Sequence, residues 1–198
     1  MSIYFEFEVS LEEVQPKIWR SFLLRSSSTF HELHDTIQKA CGWQDYHLYH
    51  FIEDNARKRI AESPYCEGAG DGCPNADEIK IDSFFQETGD NCIYEYDFGD
   101  CWRHLVTLKS ITKIAGQFRR KLTGGQRAFP PEDCGGIMGY EESIDALLIP
   151  DSKLKDTDEY AKEELLSRRE WLGDWHPEHF DFDATAKQLK RPVRSIEL

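Results

Sequence analysis

Glu95, Asp97 and His104 are the first side chains in this sequence whose types and spacing could do chemistry. They are two carboxylates and an imidazole on either side of the Gly99–Asp100 step in the segment Cys92 to His104, CIYEYDFGDCWRH. Whether they meet depends on hairpin register, because opposed residues of an antiparallel pair share a face and a one-residue slip sends every side chain to the other side. With Gly99 and Asp100 as a two-residue loop, Asp97 opposes Trp102 and Glu95 opposes His104, which gathers both carboxylates and the imidazole on one surface. With Phe98 to Asp100 as a three-residue loop, Tyr94 and Tyr96 lie beside His104 and Trp102, and Glu95 and Asp97 oppose Arg103 and Cys101. Turn chemistry favours the first register and hydrophobic continuity the second. The first is the working expectation.

Other groups invite separate readings. Cys134 beside Glu132, or Cys101 beside His104, would make a nucleophile and base only with a lowered thiol pKa and hydrogen-bond geometry. A small buried cysteine explains each more simply. Cys66 and Cys73 sit in CEGAGDGCPNAD, six residues apart internally and wider than a usual zinc knuckle, so a zinc site there would borrow Cys92, Cys101 or a histidine. His31 and His34 share a helical face and could take His47 or His50 as a third ligand, although His34 borders an apolar stripe and reads first as a core histidine.

The elements that must hold these groups are readable from periodicity. Ile3, Phe5, Phe7 and Val9 alternate as a half-buried strand, and after Pro16 a second strand, Lys17 to Leu24, is expected to pair with it. Thr29 and Glu32 form a capping box ahead of Phe30, Leu33, Ile37 and Ala40, a helical stripe that stops at Gly42. Tyr46 to Glu53 reads as a third strand, Asp54 to Asp77 as an exposed loop, Ile79 to Ile81 as a short strand, and Gln117 to Pro131 as connection. Helices are expected near Glu142–Leu148, Thr157–Leu172 and Ala184–Leu189. Strands early and helices late give an α+β fold, mainly an antiparallel sheet with a central hairpin, packed by several helices. One domain over residues 1–190 and a short tail, 191–198, are expected.

Composition narrows the function classes. Twenty-four Lys and Arg against 37 Asp and Glu leave a formal charge of −13, a field that repels phosphate backbones and argues against broad nucleic-acid binding. The start MSIYFEFEVS lacks the basic and apolar runs of a signal peptide, and no apolar stretch reaches transmembrane length. A soluble cytoplasmic protein with reduced cysteines and no membrane partner is the expectation.

YEYDFGDCWRH followed by PPEDCGGIMGY resembles the signature of the plasmid orf-three-like family, first named from a root-inducing plasmid and also labelled TnpR-type passenger proteins of insertion elements. PKIWR, LHDTIQKACGW, HLYHF and the His176, Pro177, Phe180 and Asp181 of HPEHFDFD extend the likeness over most of the chain. The resemblance implies an α+β domain carried on plasmids, mobile elements and chromosomes, and implies no established activity. The Cys66–Cys73 loop departs from its pattern.

Carried onto this chain, the family motifs concentrate Asp97, Asp100, Glu132 and Asp133, which with His104 could hold a divalent cation, zinc, magnesium or manganese, and activate a water. Turn capping and loop capping by the same acids need no metal. Gly135, Gly136 and Gly139 permit close approach, but Glu132 and Asp133 repel phosphate and no GxxxxGK[ST] pattern is present. The leading expectation is a binding or adaptor module for an unidentified protein or small molecule, with Tyr94, Tyr96, Trp102, Gly135, Gly136 and Tyr140 in the contact surface. The alternative is a metal-dependent hydrolase or nuclease using Asp97, Asp100, His104, Glu132 and Asp133.

Overall fold

A computed structural model describes residues 1–53, 58–65, 74–156 and 158–192. The expected α+β architecture is present. One seven-stranded, wholly antiparallel sheet is built from β1 (Ser2–Leu11), β2 (Trp19–Arg25), β3 (Tyr49–Glu53), β4 (Lys58–Glu62), β5 (Asn91–Tyr96), β6 (Trp102–Ile114) and β7 (Arg120–Gln126), in the order β4-β3-β5-β6-β1-β2-β7. The long β1 and β6 pair at its middle.

Helix α1 (Phe30–Cys41) forms where the capping box demanded it, with Thr29 Oγ accepting from the Glu32 amide and Glu32 reaching back to the Thr29 amide. Phe30, Leu33, Ile37 and Ala40 bury its apolar stripe, and Gly42 ends it at φ +85. Phe30 packs edge-on to Phe51 at 4.9 Å, and Phe7 to Phe85 at 4.8 Å, so the core lies between α1 and the aromatic face of the sheet. Helix α4 (Phe182–Leu189) packs against α1 and β7, while α2 (Gly136–Leu148) and α3 (Glu159–Leu172) pack on each other.

Four expectations need correction. The central hairpin takes the second register: Tyr94 opposes His104, Glu95 opposes Arg103 and Tyr96 opposes Trp102. Its loop is Asp97 to Cys101, closed by the Cys101 amide on the Asp97 carbonyl, with positive φ at Asp97 and Cys101. Positive φ costs about 1–2 kcal/mol at each. Burying Tyr94, Tyr96, Trp102 and His104 on one core face returns about 1.5–3 kcal/mol per large apolar side chain, so hydrophobic continuity overrides turn chemistry.

The expected loop Asp54–Asp77 contains strand β4, and the expected connection Gln117–Pro131 contains β7, whose pattern is hidden by glycines. Those glycines are needed for contact: a Cβ at Gly125 would stand 2.6 Å from Phe180, and one at Gly124 would stand 3.1 Å from Trp19. Ile79–Ile81 is no strand; the Lys80 bridge to Thr29 is followed by one helical turn, Ile81–Ser83.

At the end of the described chain, the carbonyls of Arg191 and Pro192 accept from Arg120 and Lys39. Arg120 also pairs with Asp35 on α1, both buried. Burial alone would raise the Asp35 carboxyl, but Arg120 and Lys39 outweigh it and hold it below its usual value.

Candidate functional site

Three loops converge at the turn end of the central hairpin: 43–48 after α1, 97–101 within the hairpin, and 130–136 before α2. Tyr96 is the pin between them. Its ring is buried, and its hydroxyl accepts from the amides of Tyr46 (2.9 Å) and His47 (3.3 Å) while donating to Glu132. Glu132 uses its other oxygen for the Gln44 amide at 2.7 Å, and Trp43 donates its indole N–H to the Pro130 carbonyl at 2.8 Å. Asp100 accepts from the Gly135 amide at 3.1 Å. Gly136, at φ +67, lets the backbones touch, since a Cβ there would lie 2.8 Å from the Asp100 carbonyl oxygen. The acids and glycines are therefore committed to fastening loops.

Within this junction His47, Asp97 and Asp133 come together. His47 Nε2 is 2.7 Å from Asp133 Oδ1 and 3.6 Å from Asp97 Oδ2, and one ligand atom from each residue lies within 4.8 Å of the others. Asp97 also accepts the Gly99 amide at 2.9 Å through Oδ1. One imidazole and two carboxylates suit zinc or manganese, with magnesium less well served by the nitrogen. Asp97 is nearly buried, whereas Asp133 is open to solvent.

Of the cation set expected from sequence, only Asp97 and Asp133 enter this cluster. His104 does not. It is fully buried on the core face of β6, with Nδ1 at 3.2 Å and 3.1 Å from the carbonyl oxygens of Tyr94 and Trp102, and burial lowers its pKa to about 4. Glu132 and Asp100 are held by the hydrogen bonds above. His47 stands in HLYHF, a stretch read as a strand, and only the closure of the 43–48 loop over Tyr96 turns it toward the acids.

The contact residues expected from sequence are differently placed. Tyr94, Tyr96 and Trp102 have no exposed surface and Tyr140 only 2 %. Gly135 and Gly136 meet the hairpin backbone. What the junction exposes is Tyr46 (63 %), Leu48 (37 %), Phe98 (43 %) and, on the first turn of α2, Met138 (73 %). Beside Asp133 a cavity of about 350 Å³ is walled by Cys134 and by Glu164, Ser167, Arg168 and Trp171 of α3.

The nucleophile readings do not survive the geometry. Cys134 is buried and its thiol is pushed up to about 12, chiefly by burial and then by Asp100. Cys101 Sγ lies 3.3 Å from the Phe98 carbonyl, outside the core that encloses His104. His34 has both ring nitrogens bonded, to Tyr94 (2.8 Å) and Asp45 (2.9 Å), and is spent inside the protein, while His31 bonds Tyr49 through Nδ1 at 2.9 Å. Cys66 and Cys73 lie outside the described residues.

Comparison with known proteins agrees with the fold and the motifs. The family described as plasmid pRiA4b ORF-3-like protein matches residues 4–184, and the chain belongs to it. An uncharacterized protein, y4hQ, of Sinorhizobium fredii strain NGR234 is 28 % identical over 191 residues, covering 96 % of this chain and 89 % of that one. A crystal structure of a protein of unknown function from Methanosarcina mazei Go1 superposes with a TM-score of 0.74 at 30 % identity, covering 93 % of this chain and 97 % of the other. No activity is established by these relatives.

Proposed function

We propose that this member of the plasmid pRiA4b ORF-3-like family is a non-catalytic binding module that presents the three-loop junction to a protein partner. The observation that carries this reading is the division of labour at the junction. The motif acids Glu132 and Asp100 are consumed in holding loops still, while Tyr46, Leu48, Phe98 and Met138 stand out around them. Exposed apolar side chains rimmed by charge are characteristic of docking surfaces. With a chain charge of −13, the partner offers basic and apolar groups, and nucleic acid is disfavoured.

No described helix is long and apolar enough to cross a membrane, and Cys41, Cys92, Cys101 and Cys134 are free thiols. These thiols support a cytoplasmic location. The test is quantitative mass spectrometry of proteins captured by wild type, by Phe98→Asp and by Ile111→Asp, a control on an exposed position of β6. A partner lost with Phe98→Asp and retained with Ile111→Asp is the expected result. Identical captures for both variants would count against the junction.

A second reading rests on the His47, Asp97 and Asp133 geometry: a divalent cation held there would join the loops and leave positions open to a partner's carboxylate or to water. Metal analysis by mass spectrometry of tag-free protein should then show one ion that Asp133→Asn and Asp97→Asn both lose. Metal-free wild type would remove this reading and, with it, the hydrolase.

A further inference from the structure

Trp43, Gln44 and Asp45 of the loop that carries His47 also line a separate and larger cavity, of about 620 Å³. Its walls include Gln38 and Gly42 at the end of α1, Trp43, Asp45, and Arg191 after α4. Space of this size is in the range that holds a small organic ligand.

Beneath it runs a chain of hydrogen bonds whose polarity is fixed by chemistry. A carboxylate only accepts, so His34 donates to Asp45 through Nε2 at 2.9 Å. Burial lowers the His34 pKa and keeps the imidazole neutral, which leaves Nδ1 a bare acceptor. Tyr94 must then donate its O–H to Nδ1, at 2.8 Å, and its oxygen is free to accept the Gln38 side-chain N–H at 2.9 Å. The Gln38 amide therefore cannot be turned around. Its Oε1 is left without a partner among the described residues, although Gln38 is only 2 % exposed. A buried carbonyl oxygen in that state calls for a donor.

The cavity wall carries both signs: Asp35 and Lys39 pair with each other there, and Asp45 and Arg191 are its remaining charges. Asp45 has a second carboxylate oxygen with no hydrogen bond among the described residues, and the C-terminal end of α1 adds negative potential beside it. The exposed Arg191 also lines the cavity, and its guanidinium has no ion-pair partner among the described residues. Gly42, at φ +85, leaves open space where a side chain would begin, and the Trp43 indole offers an apolar wall.

We propose that this cavity binds a small zwitterion of the α-amino-acid class, its ammonium group donating to Gln38 Oε1 and Asp45 and its carboxylate meeting Arg191. The ammonium supplies the donor that Gln38 lacks, and a two-ended ligand can meet the Asp45 carboxylate and the Arg191 guanidinium together, which a simple anion or an apolar molecule cannot.

The experiment is two-dimensional NMR of the isotopically labelled chain titrated with a mixture of the proteinogenic L-amino acids, then with individual amino acids, their N-acetyl forms and their carboxamides. The expected result is shifts at the Gln38 side-chain amide and at Trp43 and Asp45, abolished by N-acetylation. Arg191→Ala, at an exposed position, should weaken the free acids about tenfold and leave the carboxamides unchanged. Absence of shifts at these residues, shifts indifferent to N-acetylation, or Arg191→Ala weakening acid and carboxamide alike would overturn the proposal. A crystal structure grown with the mixture that shows Gln38 Oε1 bonded to an ordered water alone would do the same.

Discussion

Tyr96→Phe isolates the fastening of the three loops, because it removes one oxygen and leaves a buried ring in place. That oxygen donates to the Glu132 carboxylate and accepts the amides of Tyr46 and His47, the second at a long 3.3 Å. A hydrogen bond to a charged group contributes about 1.5–3 kcal/mol and a neutral one about 1, so the variant should lose about 3 kcal/mol. A domain of ordinary stability, about 5–15 kcal/mol, remains folded after that loss. Urea denaturation followed by tryptophan fluorescence reads it as a lower midpoint at unchanged slope. Tyr4→Phe is the control. It removes an oxygen that donates to the Phe118 carbonyl and accepts its amide, without any charged partner, and should cost about 1–2 kcal/mol. Combined with Glu132→Gln, Tyr96→Phe should fall short of additivity by about 1–2 kcal/mol, because the pair shares one bond. A loss below about 0.5 kcal/mol, or strict additivity with Glu132→Gln, would refute the reasoning that these motif residues fasten the junction.

Three further outcomes follow from the same structure. Arg120→Met leaves Asp35 with Lys39 as its one cationic partner among the described residues in the seam between α1, β7 and the chain after α4, and should cost about 3 kcal/mol in chemical denaturation, with Asp35→Asn/Arg120→Met together costing less. His104 has a folded pKa of about 4 against an ordinary 6.5, so the unfolded chain binds the extra proton. Stability is therefore full above about pH 6.5 and falls toward pH 4 by up to about 1.4 kcal/mol per unit, a slope that His104→Phe should reduce in denaturation curves taken at successive pH values. Gly139→Ala would drive a methyl group into the Cys134 carbonyl oxygen, and circular dichroism should report a chain that misfolds or melts far below wild type.

The parts of the fold that the sequence discloses are those where local and tertiary demands agree. The Thr29–Glu32 box and the Phe30–Ala40 stripe each state one structure and each adopt it, and the alternation does so for Phe5, Phe7 and Val9, whereas Ile3 is exposed and Tyr4 buried. β7 was hidden because Gly124 and Gly125 give way to Trp19, Phe180 and Arg20, contacts made by residues distant in sequence. The junction follows the same logic. Asp97 and Asp133 were visible as acids, but the hairpin register that withdraws His104 into the core is decided by the burial of Tyr94, Tyr96 and Trp102 together. His47 joins the acids through two backbone amides anchored on Tyr96, a relation with no local signature.

Site-specific photocrosslinking in the producing cell tests the central claim most directly. A benzophenone amino acid is placed in turn at Phe98, at Tyr46 and at Ile111, all exposed, with only the first two at the three-loop junction. The account expects one discrete crosslinked species from Phe98 and Tyr46 and none from Ile111. Crosslinks of equal pattern and yield from all three positions, or from Ile111 alone, would contradict it.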